Sequence, residues 1–151
     1  MPGEYFPQGL GLVVAGIGGG QRRGTANGRA AAGGGRGDDG EGLPSDKIPY
    51  KGDDKKKGRQ FFLAATHAGF KIECHETVLG AGLETHPPHR HVHEEIMIVV
   101  EGTVEANLNG VKQTVPAGSV VVFGSNQTHN ARNAGTTPSR YYIVELRGNE
   151  A

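Results

Sequence analysis

Pro87-Pro88-His89-Arg90-His91-Val92-His93-Glu94-Glu95, followed by Gly102, is the stretch that decides how this chain folds. Three imidazoles and two carboxylates fall within seven residues, from His89 to Glu95. A further imidazole follows in His129-Asn130-Ala131-Arg132-Asn133, preceded by Gly118 and Gly124. Imidazole and carboxylate together suit a divalent transition metal. In an extended strand, residues two apart share a face, so His89 and His91 point the same way, and His93 and Glu95 continue that parity. The chain need not stay flat through Val92 to Glu94, which lets His93 turn aside. Glu95 opens an apolar strand, as expected for a carboxylate at a strand mouth that looks into a cavity. Pro87 and Pro88 stiffen the approach and lower the entropy cost of holding His89.

Working outward, short strands separated by turn residues run from Gln60 onward. Phe61 to Ala65 is one. In the next, Phe70, Ile72, Cys74 and Val78 share a face opposite Lys71, Glu73, His75 and Thr77. Glu95–Glu101, Val104–Leu108 and Val111–Val115 follow, the last two joined by Asn109-Gly110, a pair that accepts positive φ and marks a tight hairpin. Ser119–Phe123 is continuously apolar, which predicts a fully buried strand. His129–Asn133 and Tyr141–Leu146 complete the series. No helical periodicity appears after residue 60. The expectation is an all-β sandwich or barrel.

The 151 residues suit one domain, and their formal charge of zero gives no global field for nucleic acid or an anionic membrane. Twenty-six glycines and a hydrophobic content of 35% are unusual, and the deficit lies in the first third. Residues 1–45 read as a disordered glycine-rich segment, 46–59 as a charged linker or edge segment, and 60–147 as the barrel. Val13–Gly20 is glycine-rich like the start of a dinucleotide fold, but Arg23 stands where the third glycine belongs. The Lys55–Lys57 patch with Arg59 reads as a solvated linker. Leu10–Ile17 is too short to span a membrane, and Arg22 and Arg23 follow it rather than precede it, so a cytoplasmic location is favoured over export. Cys74 is the single cysteine and reads as a buried structural thiol.

The two histidine stretches resemble the paired motifs of the cupin superfamily. In the first, His89-x-His91, three residues, Glu95, six residues and Gly102 match, while Gly82 stands one position too far before His89. In the second, Gly118, His129 and Asn133 match in spacing, with Gly124 in place of the motif proline and Asn126 in place of its partner glycine. Both replacements suit a turn. More narrowly, Pro87–Glu95 is similar to small single-domain bacterial cupins. The resemblance implies a single antiparallel double-stranded β-helix, a jelly-roll barrel often paired into a homodimer through sheet edges. It also implies that His89, His91, Glu95 and His129 bind one divalent transition metal: iron, manganese, nickel, zinc or copper.

The remaining polar residues receive lesser roles. His93 is expected beside the metal or at the surface, His86 in a surface loop, and His67 and His75 away from any metal. Glu94 is expected to face solvent or a dimer partner. Asn133 is expected to brace the turn after His129. The formal glycosylation sequon Asn126-Gln127-Thr128 lies inside the metal-bearing turn and is discounted. Inward positions such as Met97, Val99, Val104 and Ala106 are apolar, which favours a hydrophobic or aromatic ligand. No arginine or lysine clamp is evident at inward positions, although Arg132 and Arg140 are placed to reach the rim.

Three histidines and a glutamate leave open positions on a six-coordinate ion. The function expected is a metal-dependent, dioxygenase-like oxidoreductase acting on a small oxygenated molecule, with Glu95 doubling as proton acceptor. The alternative is a non-catalytic barrel that binds a metal and a small ligand. Neither involves nucleic acid or a membrane.

Overall fold

The computed structural model describes residues 42–148. The disorder expected over residues 1–45, the Val13–Gly20 run and the Leu10–Ile17 segment therefore lie wholly or mainly outside the described residues. A single 3-10 turn, Ser45–Lys47, precedes nine strands: β1 Lys51–Gly52, β2 Lys56–Ala65, β3 Lys71–Leu79, β4 Glu94–Glu101, β5 Thr103–Leu108, β6 Val111–Pro116, β7 Val120–Phe123, β8 His129–Asn133 and β9 Ser139–Gly148. A six-stranded sheet has the order β1-β2-β3-β9-β4-β7, and a three-stranded sheet has the order β6-β5-β8. Every pairing is antiparallel. The all-β double-sheet barrel read from the sequence is the fold. No helix among the described residues is long and apolar enough to cross a membrane.

The two sheets close over a core of Leu79, Met97, Val99, Val104, Ala106, Val121, Phe123, Ala131, Tyr141 and Ile143. Its members come from six strands, so burial of apolar area, at about 25 cal/mol per Å², ties the sheets together. The hairpin at Asn109-Gly110 forms as expected, with φ of 53° and 86°. Asn126 also adopts the left-handed region, at φ 57°, which is why asparagine can replace glycine there.

Two expectations are corrected. The apolar run Ser119–Phe123 is not buried on both faces: Val121 and Phe123 point into the core, whereas Val120 and Val122 are 58% and 62% exposed. β7 is an edge strand, and among the described residues no second sheet covers the outer face. In β3 it is the polar parity that turns inward: Glu73 and Thr77 are buried with Leu79, and His75 and Thr77 line the interior cavity. Ile72, Cys74 and Val78 lie on the outer face, only partly covered. Cys74 is thus half-buried rather than a core thiol, and burial, with Glu73 and Glu76 nearby, pushes it up to about 11, which suppresses thiolate reactivity.

Glu76 is the exception on that outer face. Its side chain is fully covered and receives hydrogen bonds from Tyr50 at 3.0 Å, from Arg140 at 3.0 Å and from Arg59. Burial works to raise its pKa, but Arg140, Arg59 and Tyr50 outweigh it and hold the carboxyl low. Arg59 also donates to the carbonyl of Ser45 at 2.5 Å, strapping the segment before β1 across the sheet.

Gly102 links β4 to β5 at φ +79°, and a Cβ there would stand 2.9 Å from Ser139 Cα and 3.0 Å from the Pro138 carbonyl oxygen. Gly102→Ala is expected to destabilise the fold by about 2–3 kcal/mol through strain and backbone overlap. Urea denaturation checks this, and a loss within about 0.5 kcal/mol would contradict it.

Candidate metal centre

His89 does not lie in a regular strand. It forms an isolated antiparallel bridge with His129, the first residue of β8. The His89 N–H donates to the His129 carbonyl at 3.0 Å, and the His129 N–H donates to the His89 carbonyl at 2.8 Å. His91 and His93 follow in an irregular segment, and Glu95 is the second residue of β4. The Asn126 N–H donates to the His91 carbonyl at 2.7 Å, so the turn before β8 also holds this segment.

The imidazoles are oriented by their backs. His129 Nδ1 donates to the Gln127 carbonyl at 2.7 Å, and His91 Nδ1 donates to the His93 carbonyl at 2.8 Å. A carbonyl only accepts, so each ring carries a proton on Nδ1; His129 then turns an Nε2 lone pair inward, while His91 Nε2 is in hydrogen-bond contact with Glu95 Oε1 at 2.9 Å. His129 Nε2 and His89 Nδ1 are buried without a hydrogen-bond partner. One donor atom from each of His89, His91 and His129 lies within 4.8 Å of the others, and so does one from each of His91, His93 and Glu95. Glu95 joins the two groups, with Oε1 2.9 Å from His91 Nε2 and Oε2 3.5 Å from His129 Nε2.

Burial and the neighbouring imidazoles of His86, His129 and His91 lower the His89 pKa to about 4, which keeps it neutral. For Glu95 burial works upward, but His129 and His91 outweigh it and hold the carboxyl well below the usual carboxylate range. His91 is opposed by burial yet raised by Glu95. Buried, oriented imidazoles beside an ionised carboxylate, with two buried nitrogens left unpartnered, form a donor set suited to a divalent transition metal.

The structure brings together all four residues singled out from the sequence. His93 does not turn aside but stays with the cluster: it stacks on His91 with ring centroids 3.6 Å apart, and its Nε2 is 3.8 Å from Glu95 and 3.4 Å from Glu145. His86 is not a plain surface residue: its ring meets that of His89 edge-on at 4.1 Å. His75 also lines the cavity, paired with buried Glu73 at 2.8 Å. Glu73, Glu145 and Glu95 stand opposite one another in a single row across β3, β9 and β4. Like charges in such a row repel, and each is answered by a cation or imidazole: His75 for Glu73, Arg147 at 2.5 Å for Glu145, and His91 for Glu95. Sequence reasoning missed Glu73 and Glu145. Their shared parity with Thr77 and Ile143 was the available signal. Asn133 is fully buried and braces the chain after β8, donating to the Leu79 and Thr137 carbonyls at 2.8 Å each.

A cavity of about 350 Å³ opens onto this cluster. Its apolar wall includes Met97, Phe123, Tyr141 and Ile143; of the inward positions expected to line it only Met97 does, while Val99, Val104 and Ala106 lie in the core. Arg140 does not reach the rim, because it pairs with Glu76 and Glu101 on the outer side, and Arg132 lines a separate depression with Glu84 and Glu105. The cations on the cavity are instead Lys56, Arg90 and Arg147.

The cupin domain family model matches residues 75–145. No functionally curated protein matches the sequence at a significant level. Among solved structures, an RmlC-like cupin from Shewanella frigidimarina aligns with TM-score 0.58 at 18% identity, covering 70% of this chain and 89% of that one. A predicted oxalate decarboxylase from Thermotoga maritima aligns with TM-score 0.58 at 18% identity, over 71% and 99% of the two chains. The polyketide cyclase RemF from Streptomyces resistomycificus aligns with TM-score 0.57 at 16% identity, over 73% and 80%. At these identities the structural likeness is one of fold, and together with the family match over the segment that carries His89, His91, Glu95 and His129 it supports a cupin-type family.

Proposed function

We propose that His89, His91, Glu95 and His129 hold one divalent transition metal, and that the chain uses it as a dioxygenase-like oxidoreductase on a small oxygenated molecule. The observation that carries this is the cavity of about 350 Å³ that reaches the imidazole cluster, a size within the range of small-molecule sites. The bound ion would supply Lewis-acid chemistry and, as iron, manganese or nickel, a redox partner for dioxygen. The chain's own residues orient and exclude. The Met97, Phe123 and Tyr141 wall keeps water from the ligand body, and Glu95, ionised near neutrality, accepts the proton of a substrate hydroxyl. Its low pKa makes it a weak, transient acceptor. The solved relatives include a predicted decarboxylase and a cyclase, so fold alone does not select a reaction.

A second copy of the chain is the proposed partner. The row Phe62, Cys74, Val144, Ile96 and Val122 crosses five strands on the outer face of the large sheet, and Ile98 and Val120 extend it. Contiguous apolar surface of this kind marks an interface.

His129→Ala is expected to take metal content, read by elemental analysis, from near stoichiometric to a minor fraction. Full occupancy in that variant would remove His129 from the ligand set. Oxygen uptake by protein loaded separately with iron, manganese, nickel, copper or zinc, against a panel of diols and flavonols, is expected with at least one redox-active ion. No uptake with any of them would leave the non-catalytic metal-and-ligand barrel. Val122→Lys combined with Ile98→Lys is expected to halve the mass seen in sedimentation equilibrium, and an unchanged monomeric mass in the parent protein would exclude the dimer.

A further inference from the structure

We infer that this cavity is built for an organic anion, a small carboxylic acid with an apolar or aromatic body, and that Arg90 is the residue that holds its negative group. The inference rests on the cavity assigned above and specifies the charge of what enters it.

The first ground is the local charge balance. The whole chain is neutral by formal count. The cavity lining is not: Lys56, Arg90 and Arg147 face it against two carboxylates, Glu95 and Glu145. Among the charged lining residues the cations outnumber the carboxylates by one, and a divalent metal adds to that excess. Low-dielectric walls such as Phe123 and Ile143 focus that field into the cavity and raise the local concentration of anions.

The second ground is how the cations are used. Arg147 is engaged by Glu145 at 2.5 Å. Arg90 makes no ion pair among the described residues although it lines the cavity. Its guanidinium is a planar fork of donors suited to a carboxylate.

The third ground is rigidity. Arg90 stands between His89, whose backbone is bonded both ways to His129, and His91, whose ring and carbonyl are both tied down. Its backbone is therefore fixed relative to the imidazoles, which lowers the ordering cost of a contact made from there.

The test is binding of benzoate, salicylate and 3-phenylpropionate, each against its neutral amide, by titration calorimetry to metal-loaded and metal-stripped protein. The expectation is that at least one acid binds about tenfold more tightly than its amide, that Arg90→Gln removes about that factor for the acid and leaves the amide unchanged, and that Arg90→Lys restores part of it. Metal content and thermal midpoint should be the same in Arg90→Gln as in the parent. Equal affinity for acid and amide, failure of every acid to bind, or an acid preference that survives in Arg90→Gln would overturn the inference. Absence of metal from the parent protein would count against the proposed metal centre instead, and the acid-to-amide ratio in the metal-stripped protein would still decide this one.

Discussion

The amide of His89 donates to the carbonyl of His129, and the amide of His129 returns the bond to His89. These two reciprocal hydrogen bonds join the irregular segment before β4 to the first residue of β8. β4 belongs to the large sheet and β8 to the small one, so the bridge pins the sheets together at the end where the imidazoles gather. Buried peptide groups must find partners, and here each is the other's partner. With the Asn126 amide bond to the His91 carbonyl, the bridge gives the two histidine motifs a common frame. The side-chain bonds of His91 and His129 to carbonyls then orient their rings within that frame.

Electrostatics imposes the next constraint. Three carboxylates share one inward row across β3, β9 and β4, a placement that is costly unless each is compensated. The barrel meets that cost with imidazoles and one arginine rather than with solvent. Burial raises Glu73, whereas the imidazoles beside Glu95 hold it ionised. One row of identical residues thus holds Glu73, raised by burial and paired with His75, and Glu95, held low by His129 and His91. The difference comes from the imidazoles beside each carboxylate, since Glu145 is the cross-strand neighbour of both.

The outer face of the same sheet follows a different logic. Glu76 is buried there only because Tyr50, Arg59 and Arg140 enclose it. This network captures Arg140, which the sequence left free to approach the cavity rim. Beside it the valines and isoleucines of β4 and β7 remain open. Among the described residues, one end of the outer face is closed by a local strap and the rest stays open.

Much of the candidate centre was legible in the order of residues. The H-x-H spacing, Glu95 and His129 point to the candidate donor set because imidazole and carboxylate chemistry is carried by residue type and their spacing resembles the cupin motifs. Asn109-Gly110 and Gly102 announce their turns because positive φ is a local property of the backbone. What the chain order did not settle was which face of each strand turns inward. Alternation specifies a period of two but not its phase, and the apolar parity of β3 at Ile72 and Cys74 pointed the wrong way. The phase is chosen by partners far along the chain: Glu145 opposite Glu73, Tyr142 opposite Glu76 and Val144 opposite Cys74. The same long-range register turned Arg140 outward while Arg90 and Arg147 came to face the cavity. The sequence by itself determined the chemistry of the donors and the positions of the turns. The tertiary structure alone decided which charges surround them, because that depends on cross-strand contacts no local pattern encodes.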